Sequence, residues 1–193
     1  MDISGALIAG TLLAPLLLAI AAYIKLVSRG PIAFVQLRVG FGGDEFLIYK
    51  FRTMQVPKVS RDDTHRNYVA LHSRVNGPIR KPTFQNELIF GGALLRKLAI
   101  DELPQLLNVL RGNMSLVGPR PDVLRFDDYE PCQTRRFEVL PGMTGLWQVS
   151  GKNRLTFEQM VELDIEYIET QSLFRDLRIM AKTLGVLLSG NNE

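Results

Sequence analysis

The longest hydrophobic segment of the chain is residues 3–24, which contain no charged side chain and lie between Asp2 and Lys25. A helix needs about 20 apolar residues to cross a bilayer, so this segment predicts a membrane helix. Pro15 lies at its middle, where proline removes a backbone hydrogen bond and kinks or breaks a helix. Two arms of about a dozen residues would each reach roughly 18 Å, enough to enter one leaflet and return. Transmembrane helices tolerate proline, so the pattern alone favours a spanning helix over a re-entrant hairpin.

Alternating, strand-like residues follow in two segments, 31–39 and 45–54. Between them, Gly40-Phe41-Gly42-Gly43-Asp44 supplies turn residues, so the pattern predicts a β-hairpin. The cations of this hairpin are Arg38, Lys50 and Arg52. Each of them, taken singly, is most simply a solvated strand charge.

Two C-terminal segments have helical periodicity. Thr156 and Gln159 form a capping-box pattern that opens a helix ending near Thr170. Its expected buried stripe is Phe157, Met160, Val161, Ile165 and Ile168, and its expected solvated face is Glu158, Glu162, Glu166 and Glu169. Residues 173–188 place six apolar side chains on one face and Arg175, Arg178 and Lys182 opposite. This pattern is typical of an interfacial helix, although a core helix with a charged outer face fits nearly as well. The N-terminal hydrophobic segment favours the interface.

Composition narrows the class of protein. The chain of 193 residues suits one globular domain, and its net charge of +3 favours anionic partners slightly. The single cysteine, Cys132, excludes an internal disulfide framework. His65 and His72 have no metal-ligand spacing, and they fall in or near a polar loop predicted over 57–82 with one short helix around 67–72. No pattern indicates a nucleic-acid partner or an oligomeric state, so self-association stays open.

Candidate chemistry is concentrated between Asp101 and Pro121. Asp101 and Glu102 open a predicted helix whose apolar face is Leu103, Leu106, Leu107 and Leu110, with Gly112 as its stop. A helix N-terminus favours an ionised carboxylate. Taken alone, the acidic pair is most simply an ordinary charged helix start. After the helix, Pro119 and Pro121 fix the backbone on either side of Arg120, whose fork of donors suits a phosphate.

These blocks resemble the bacterial sugar transferases, the small monotopic polyprenyl-phosphate phosphoglycosyl transferases. The matching blocks, in the family's order, are Gly30-Pro31, Gln36-Leu37-Arg38-Val39-Gly40, Lys50-Phe51-Arg52-Thr53-Met54, Asp101-Glu102-Leu103-Pro104-Gln105-Leu106, Asn108-Val109-Leu110-Arg111-Gly112, Met114-Ser115-Leu116-Val117-Gly118-Pro119-Arg120-Pro121 and Pro141-Gly142-Met143-Thr144-Gly145-Leu146-Trp147-Gln148-Val149-Ser150-Gly151. They cover nearly the whole chain.

The resemblance implies a helix-rich α+β monotopic membrane protein. Residues 1–28 would form a re-entrant helical hairpin turned at Pro15, and residues 29–193 a catalytic domain on the cytoplasmic face of the bacterial inner membrane, with an interfacial helix over 173–188. The chain departs from the family at several places. Ala14 replaces the usual serine before Pro15, Ala99-Ile100 replaces a Ser-Leu pair, and basic residues before Asp2 are missing, which would also fit a truncated chain.

The implied reaction transfers a sugar 1-phosphate from a nucleoside diphosphate-sugar, here a UDP-hexose, to polyprenyl phosphate and releases UMP, as the first membrane step of glycoconjugate or exopolysaccharide assembly. Asp101 would be the nucleophile and a ligand of Mg²⁺, and Glu102 would act as base or acid. The expected phosphate-binding residues are Arg120, Arg96, Lys50, Arg52, Lys152 and Arg154. Lys152 stands where the family often has arginine, which keeps the charge but loses the bidentate fork.

Two other classes of function stay open. A membrane-bound phosphohydrolase could use the same aspartyl intermediate with water as the acceptor. A non-enzymatic membrane adaptor could use the basic residues to bind anionic lipid, but it would not explain an acidic pair combined with an arginine between two prolines.

Overall fold

The computed structural model describes residues 1–55 and 87–188, which form a helix-rich α+β fold. Its helices are α1 Asp2–Val27, α2 Gly92–Lys97, α3 Leu106–Leu110, α4 Phe157–Thr170 and α5 Leu173–Leu188, and its strands are β1 Ala33–Val39, β2 Glu45–Phe51, β3 Ser115–Val117 and β4 Gly142–Thr144. The predicted fold class is therefore confirmed at this level. The loop predicted over 57–82, its short helix, His65 and His72 lie outside the described residues.

Helix α1 is long and apolar enough to cross a membrane, and it is the one helix of the described segments with both properties. Its apolar side chains are mostly exposed, with Leu12 75% accessible, so it is not the core helix of a soluble domain. This surface indicates association with a membrane. The helix continues through Pro15, so the helix is not broken there, whereas a kink at Pro15 and the re-entrant turn stay predictions. A proline removes a single hydrogen bond of the ladder, and the turns on either side keep theirs.

Both ends of α1 are attached to the globular part of the molecule. At its start, the Asp2 carboxylate accepts a hydrogen bond from the backbone N–H of Leu116 (3.2 Å). At its end, the Arg52 guanidinium donates to the carbonyl of Ser28 (3.0 Å). Ala6 packs in a cluster with Ile48, Leu106, Val109 and Met114, whereas Ile20 and Ile24 pack with Phe51, Ile89 and Leu95.

Strands β1 and β2 form the predicted antiparallel hairpin, which pairs Ala33 with Phe51 at its open end. Gly42 and Gly43 have φ of 65° and 87° in the turn, which favours glycine. The free edge of β2 is closed by a side chain, since the Asn108 amide donates to the Leu47 carbonyl (2.7 Å) and accepts from the Tyr49 N–H (3.1 Å). Asn108 is fully buried, and it ties α3 to the strand that carries Lys50.

Strands β3 and β4 form a short parallel pair that the sequence did not predict. The pair brings the Gly118–Pro121 segment against the Gly142–Gly145 segment. A Cβ on Gly118 would lie 2.6 Å from the Leu140 carbonyl oxygen, closer than real Cβ atoms approach other atoms. Two family blocks that lie over 20 residues apart in sequence therefore meet through backbone contact.

Helix α4 begins with the predicted capping box of Thr156 and Gln159, and its four glutamates are exposed as expected. Its buried face also includes Asp164 and Tyr167, which the apolar pattern did not include. Helix α5 has the predicted bounds and packs on the core through Ile179. Its exposed apolar residues are Leu173, Phe174, Leu177 and Leu184, beside exposed Arg178 and Lys182. A core helix with a merely charged outer face does not account for this surface.

Candidate active site

Asp101 and Glu102 lie in the first turn of a continuous helical segment. Its first six residues, Ile100–Gln105, form a 3₁₀-helix rather than the predicted α-helix, and α3 follows directly. Ala99, just before this segment, has a φ of 50°, a left-handed conformation that costs roughly 1–2 kcal/mol for a residue with a Cβ. Gly112 ends the segment with a φ of 76°, as predicted.

The buried face of this segment differs from the predicted leucine stripe. Leu106 and Val109 are buried, whereas Leu107 is 50% exposed. The 3₁₀ turns before α3 rotate the side chains relative to an ideal α-helix, because they contain three residues per turn rather than 3.6. Periodicity counted from Leu103 therefore assigned the wrong leucine to the core.

Glu102 lies between two cations. Its Oε1 accepts from the Lys50 ammonium (2.7 Å) and from Arg120 (2.6 Å), and its Oε2 accepts from the second terminal nitrogen of Arg120 (3.3 Å). Burial acts to raise the pKa of Glu102, but Arg120 and Lys50 outweigh burial and hold this pKa well below its usual range. Glu102 is therefore an ionised acceptor in this arrangement, with its oxygens already occupied by donors.

Lys152 lies within electrostatic reach of the same group. Burial, followed by the charge of Arg120, lowers the pKa of Lys152 to about 8, and the carboxylates of Glu102 and Asp101 partly oppose this shift. Lys152 has a φ of 36°, in the left-handed region. Within the described segments, Lys152 and Ala99 are the only non-glycine residues with a positive φ. Backbone strain of this kind concentrates at functional sites.

Asp101 is half-buried beside Glu102, and its charge raises the pKa of Arg120, after the larger effect of Glu102. The Asp101 carboxylate thus lies within electrostatic range of Arg120 and Lys152. Among the described residues no three carboxylate, histidine or cysteine side chains are grouped as a metal cage. Mg²⁺ commonly uses one or two carboxylates plus substrate phosphates. The role of Asp101 as a ligand of Mg²⁺ stays a prediction.

The other predicted phosphate ligands have different surroundings. Arg52 is buried, and its guanidinium donates to the carbonyls of Arg29 (2.7 Å) and Ser28 at the end of α1. This contact gives Arg52 a structural role that the sequence did not indicate. Arg96 is half-buried in the last turn of α2, and Arg154 is exposed at the end of the 3₁₀ turn that contains Lys152. Phosphate contacts of these three arginines stay predictions.

Arg38 is a cation near the site that sequence reasoning did not select. It donates to the carbonyl of Pro121 (3.3 Å) and to the Gln36 side chain (2.7 Å). Burial is the main cause of the lowered pKa of Lys50. Glu102 opposes this shift, and the charges of Arg120 and then of Arg38 add to it. Its place in a matching family block was the available sequence indication.

A buried polar group behind Arg120 was also missed. Arg136 is 4% exposed and contacts Asp122, Tyr129 and Asp164. Asp164 follows Val161 by three residues and so lies on the buried face of α4. A carboxylate on an apolar helix face is almost never fully buried without a partner, and this indication was present in the sequence.

The chain is similar in sequence to a known family and to several known proteins. The family model described as bacterial sugar transferase matches residues 1–190. The chain is 42% identical to a UDP-glucose:undecaprenyl-phosphate glucose-1-phosphate transferase of Caulobacter vibrioides, an alignment that covers 100% of this chain and 70% of that protein. It is 38% identical to the galactosyl transferase CpsE of Streptococcus agalactiae, over 98% of this chain and 42% of that protein. It is 37% identical to the exopolysaccharide production protein ExoY of Rhizobium meliloti, over 95% of this chain and 81% of that protein.

Proposed function

The chain belongs to the bacterial sugar transferase family, and from this premise we propose that it transfers a sugar 1-phosphate from a UDP-hexose to undecaprenyl phosphate. The observation that carries the proposal is the position of Asp101 and Glu102 beside Lys50, Arg120 and Lys152. Phosphoryl transfer depends on positioning and on neutralising charge, and this group of side chains supplies both. The relatives named as a glucose-1-phosphate transferase and as a galactosyl transferase support a hexose donor.

In the first step, a carboxylate oxygen of Asp101 attacks the sugar-linked phosphorus. An O–P bond forms to Asp101, the bond to the bridging oxygen breaks, and UMP leaves with the electron pair. In the second step, a phosphate oxygen of undecaprenyl phosphate attacks the same phosphorus and displaces the Asp101 carboxylate. Two such displacements replace one difficult transfer by two easier ones. Mg²⁺, when bound at Asp101, supplies further positive charge to the diphosphate.

Glu102 changes role as substrate binds. The incoming phosphates compete with its carboxylate for Lys50 and Arg120. Because these cations hold the pKa of Glu102 low, loss of their contacts raises that pKa. Glu102 then becomes a better proton acceptor towards the lipid phosphate than it is in the free protein. Donor phosphates therefore both occupy the cation site and activate the neighbouring base.

The membrane arrangement we propose is a re-entrant α1. Asp2 and Ser28 both contact the globular part, so a spanning helix would have to break one of these contacts to place its ends across about 30 Å of hydrocarbon. The exposed apolar face of α5, with its neighbouring Arg178 and Lys182, suits the same membrane surface. We propose that the globular part lies on the cytoplasmic face of the inner membrane, because a UDP-sugar is made in the cytoplasm.

The test measures UMP release from UDP-hexoses by the purified protein, with and without undecaprenyl phosphate. With lipid we expect repeated turnover, and without lipid at most one UMP per protein molecule, because the covalent adduct then waits for an acceptor. Asp101→Asn is the matched control and should release none. Repeated turnover without lipid would instead identify a phosphohydrolase. If no donor gave any UMP, the non-enzymatic membrane adaptor would be the remaining class of function.

A further inference from the structure

A buried arginine holds the backbone of Arg120 from behind. The Arg136 guanidinium donates through one terminal nitrogen to the main-chain carbonyl of Arg120 (3.1 Å) and to the Asp164 carboxylate of α4 (2.7 Å). The two prolines beside Arg120 already restrict its backbone, so one further hydrogen bond can fix the direction of the Arg120 carbonyl. Arg136 supplies a contact at the residue whose side chain reaches Glu102.

The other side of Arg136 is held equally closely. Its second terminal nitrogen donates to the Tyr129 hydroxyl (3.0 Å) and lies 3.3 Å from the Asp122 carboxylate. The Tyr129 hydroxyl donates in turn to the same Asp122 oxygen (2.8 Å). Both terminal nitrogens are therefore engaged, and the planar group cannot shift without losing contacts to α4 or to the 122–129 segment.

Stability alone does not account for such an arrangement. Removing several charged groups from water is costly, and apolar residues of similar volume often stabilise a protein as well or better. A rigid guanidinium does what apolar packing does not, because it fixes the direction of a particular carbonyl. The carbonyl that it fixes belongs to the residue at the centre of the candidate active site.

We propose that Arg136 is a positioning residue, which sets the Arg120 guanidinium for the donor diphosphate through the Arg120 carbonyl. The inference rests on the proposed function only in taking Arg120 as a ligand of the donor phosphates. Asp164, Asp122 and Tyr129 act one step further away, by holding Arg136.

Binding is measured first, in the Asp101→Asn background, where no chemistry occurs. We expect Arg136→Lys to weaken UDP-hexose binding at least about fivefold in isothermal titration, because lysine keeps the charge but loses the fork. Tyr129→Phe is a milder change that keeps the ion pairs, and we expect about a twofold loss. Arg135→Lys is the matched control, since Arg135 is exposed and pairs with Glu138 and Glu169, and its affinity should not change.

A double-mutant cycle separates positioning from general support of the fold. If Arg136 acts through Arg120, then Arg136→Lys should cost little more affinity once Arg120→Lys is present. The proposal would be overturned if the double variant lost the product of the two single-variant losses of affinity. It would also be overturned if neither Arg136→Lys nor Tyr129→Phe changed the affinity for UDP-hexose. The cycle is independent of the acceptor: a protein that transfers to water would fail the proposed function while the positioning result stood. A wild type that binds no UDP-hexose would overturn both.

Discussion

Lys152→Arg is expected to remove the alkaline limb of the pH profile of this enzyme. Burial lowers the pKa of Lys152 to about 8, so the side chain is charged below that pH and neutral above it. With this pKa, about 90% of Lys152 is charged at pH 7 and about 10% at pH 9. If its charge helps to hold the donor diphosphate, kcat/KM of the wild type should fall about tenfold between these two pH values.

Arginine stays protonated throughout this range, so kcat/KM of Lys152→Arg should be nearly flat up to pH 9. The two kinetic parameters should also separate in the wild type. kcat/KM reports groups of the free enzyme, whereas kcat reports those of the complex, where the bound diphosphate raises the pKa of Lys152. The alkaline limb of kcat should therefore begin at higher pH than that of kcat/KM.

The assay is initial UMP release at saturating undecaprenyl phosphate, with the UDP-hexose varied at each pH. Lys182→Arg is the matched control, because Lys182 is exposed on α5 and should leave the limb in place. An unchanged limb in Lys152→Arg would refute the assignment. Lys50 is half-buried and its pKa is also lowered, so it would then be the next group to examine.

Three further predictions concern the nucleophile, the fold and the membrane helix. Asp101→Asn should abolish formation of a radiolabelled sugar-phosphate adduct while thermal unfolding stays unchanged, and an adduct in this variant would exclude Asp101 as the nucleophile. Asn108→Ala should lower the free energy of unfolding by about 1–2 kcal/mol, because the Tyr49 N–H and the Leu47 carbonyl lose the hydrogen bonds that they make with this fully buried side chain. Asn113→Ala is its control in chemical denaturation, because Asn113 is exposed. Equal losses of unfolding free energy in the two variants would show that the β2 edge does not need Asn108. In a Cys132→Ser background, Ser4→Cys should resist a membrane-impermeant thiol reagent in intact cells and react in inverted vesicles, whereas labelling from outside would show a spanning α1.

The sequence by itself determined those secondary-structure elements that are specified by residues close together in the chain. The uncharged segment over 3–24, the glycine turn of the β-hairpin and the capping box at Thr156 each predicted an element that the structure contains. These patterns are local, since helix and strand periodicities and cap hydrogen bonds join residues no more than a few positions apart. The acidic pair and the proline-flanked Arg120 were also recognisable, because their residue types indicate phosphate chemistry and match a family.

Only the tertiary structure decided which of these groups meet. Glu102 pairs with Lys50 across 52 positions and with Arg120 across 18, and no periodicity relates residues so far apart. The same limit explains why the role of Arg52 was not predicted. Arg52 is a cation of the same sequence block as Lys50, but it lies buried against the carbonyls at the end of α1. It also explains Arg136, whose contact with Asp164 joins residues 28 positions apart. A charged residue is attracted by any opposite charge, and packing of the backbone selects the one it reaches.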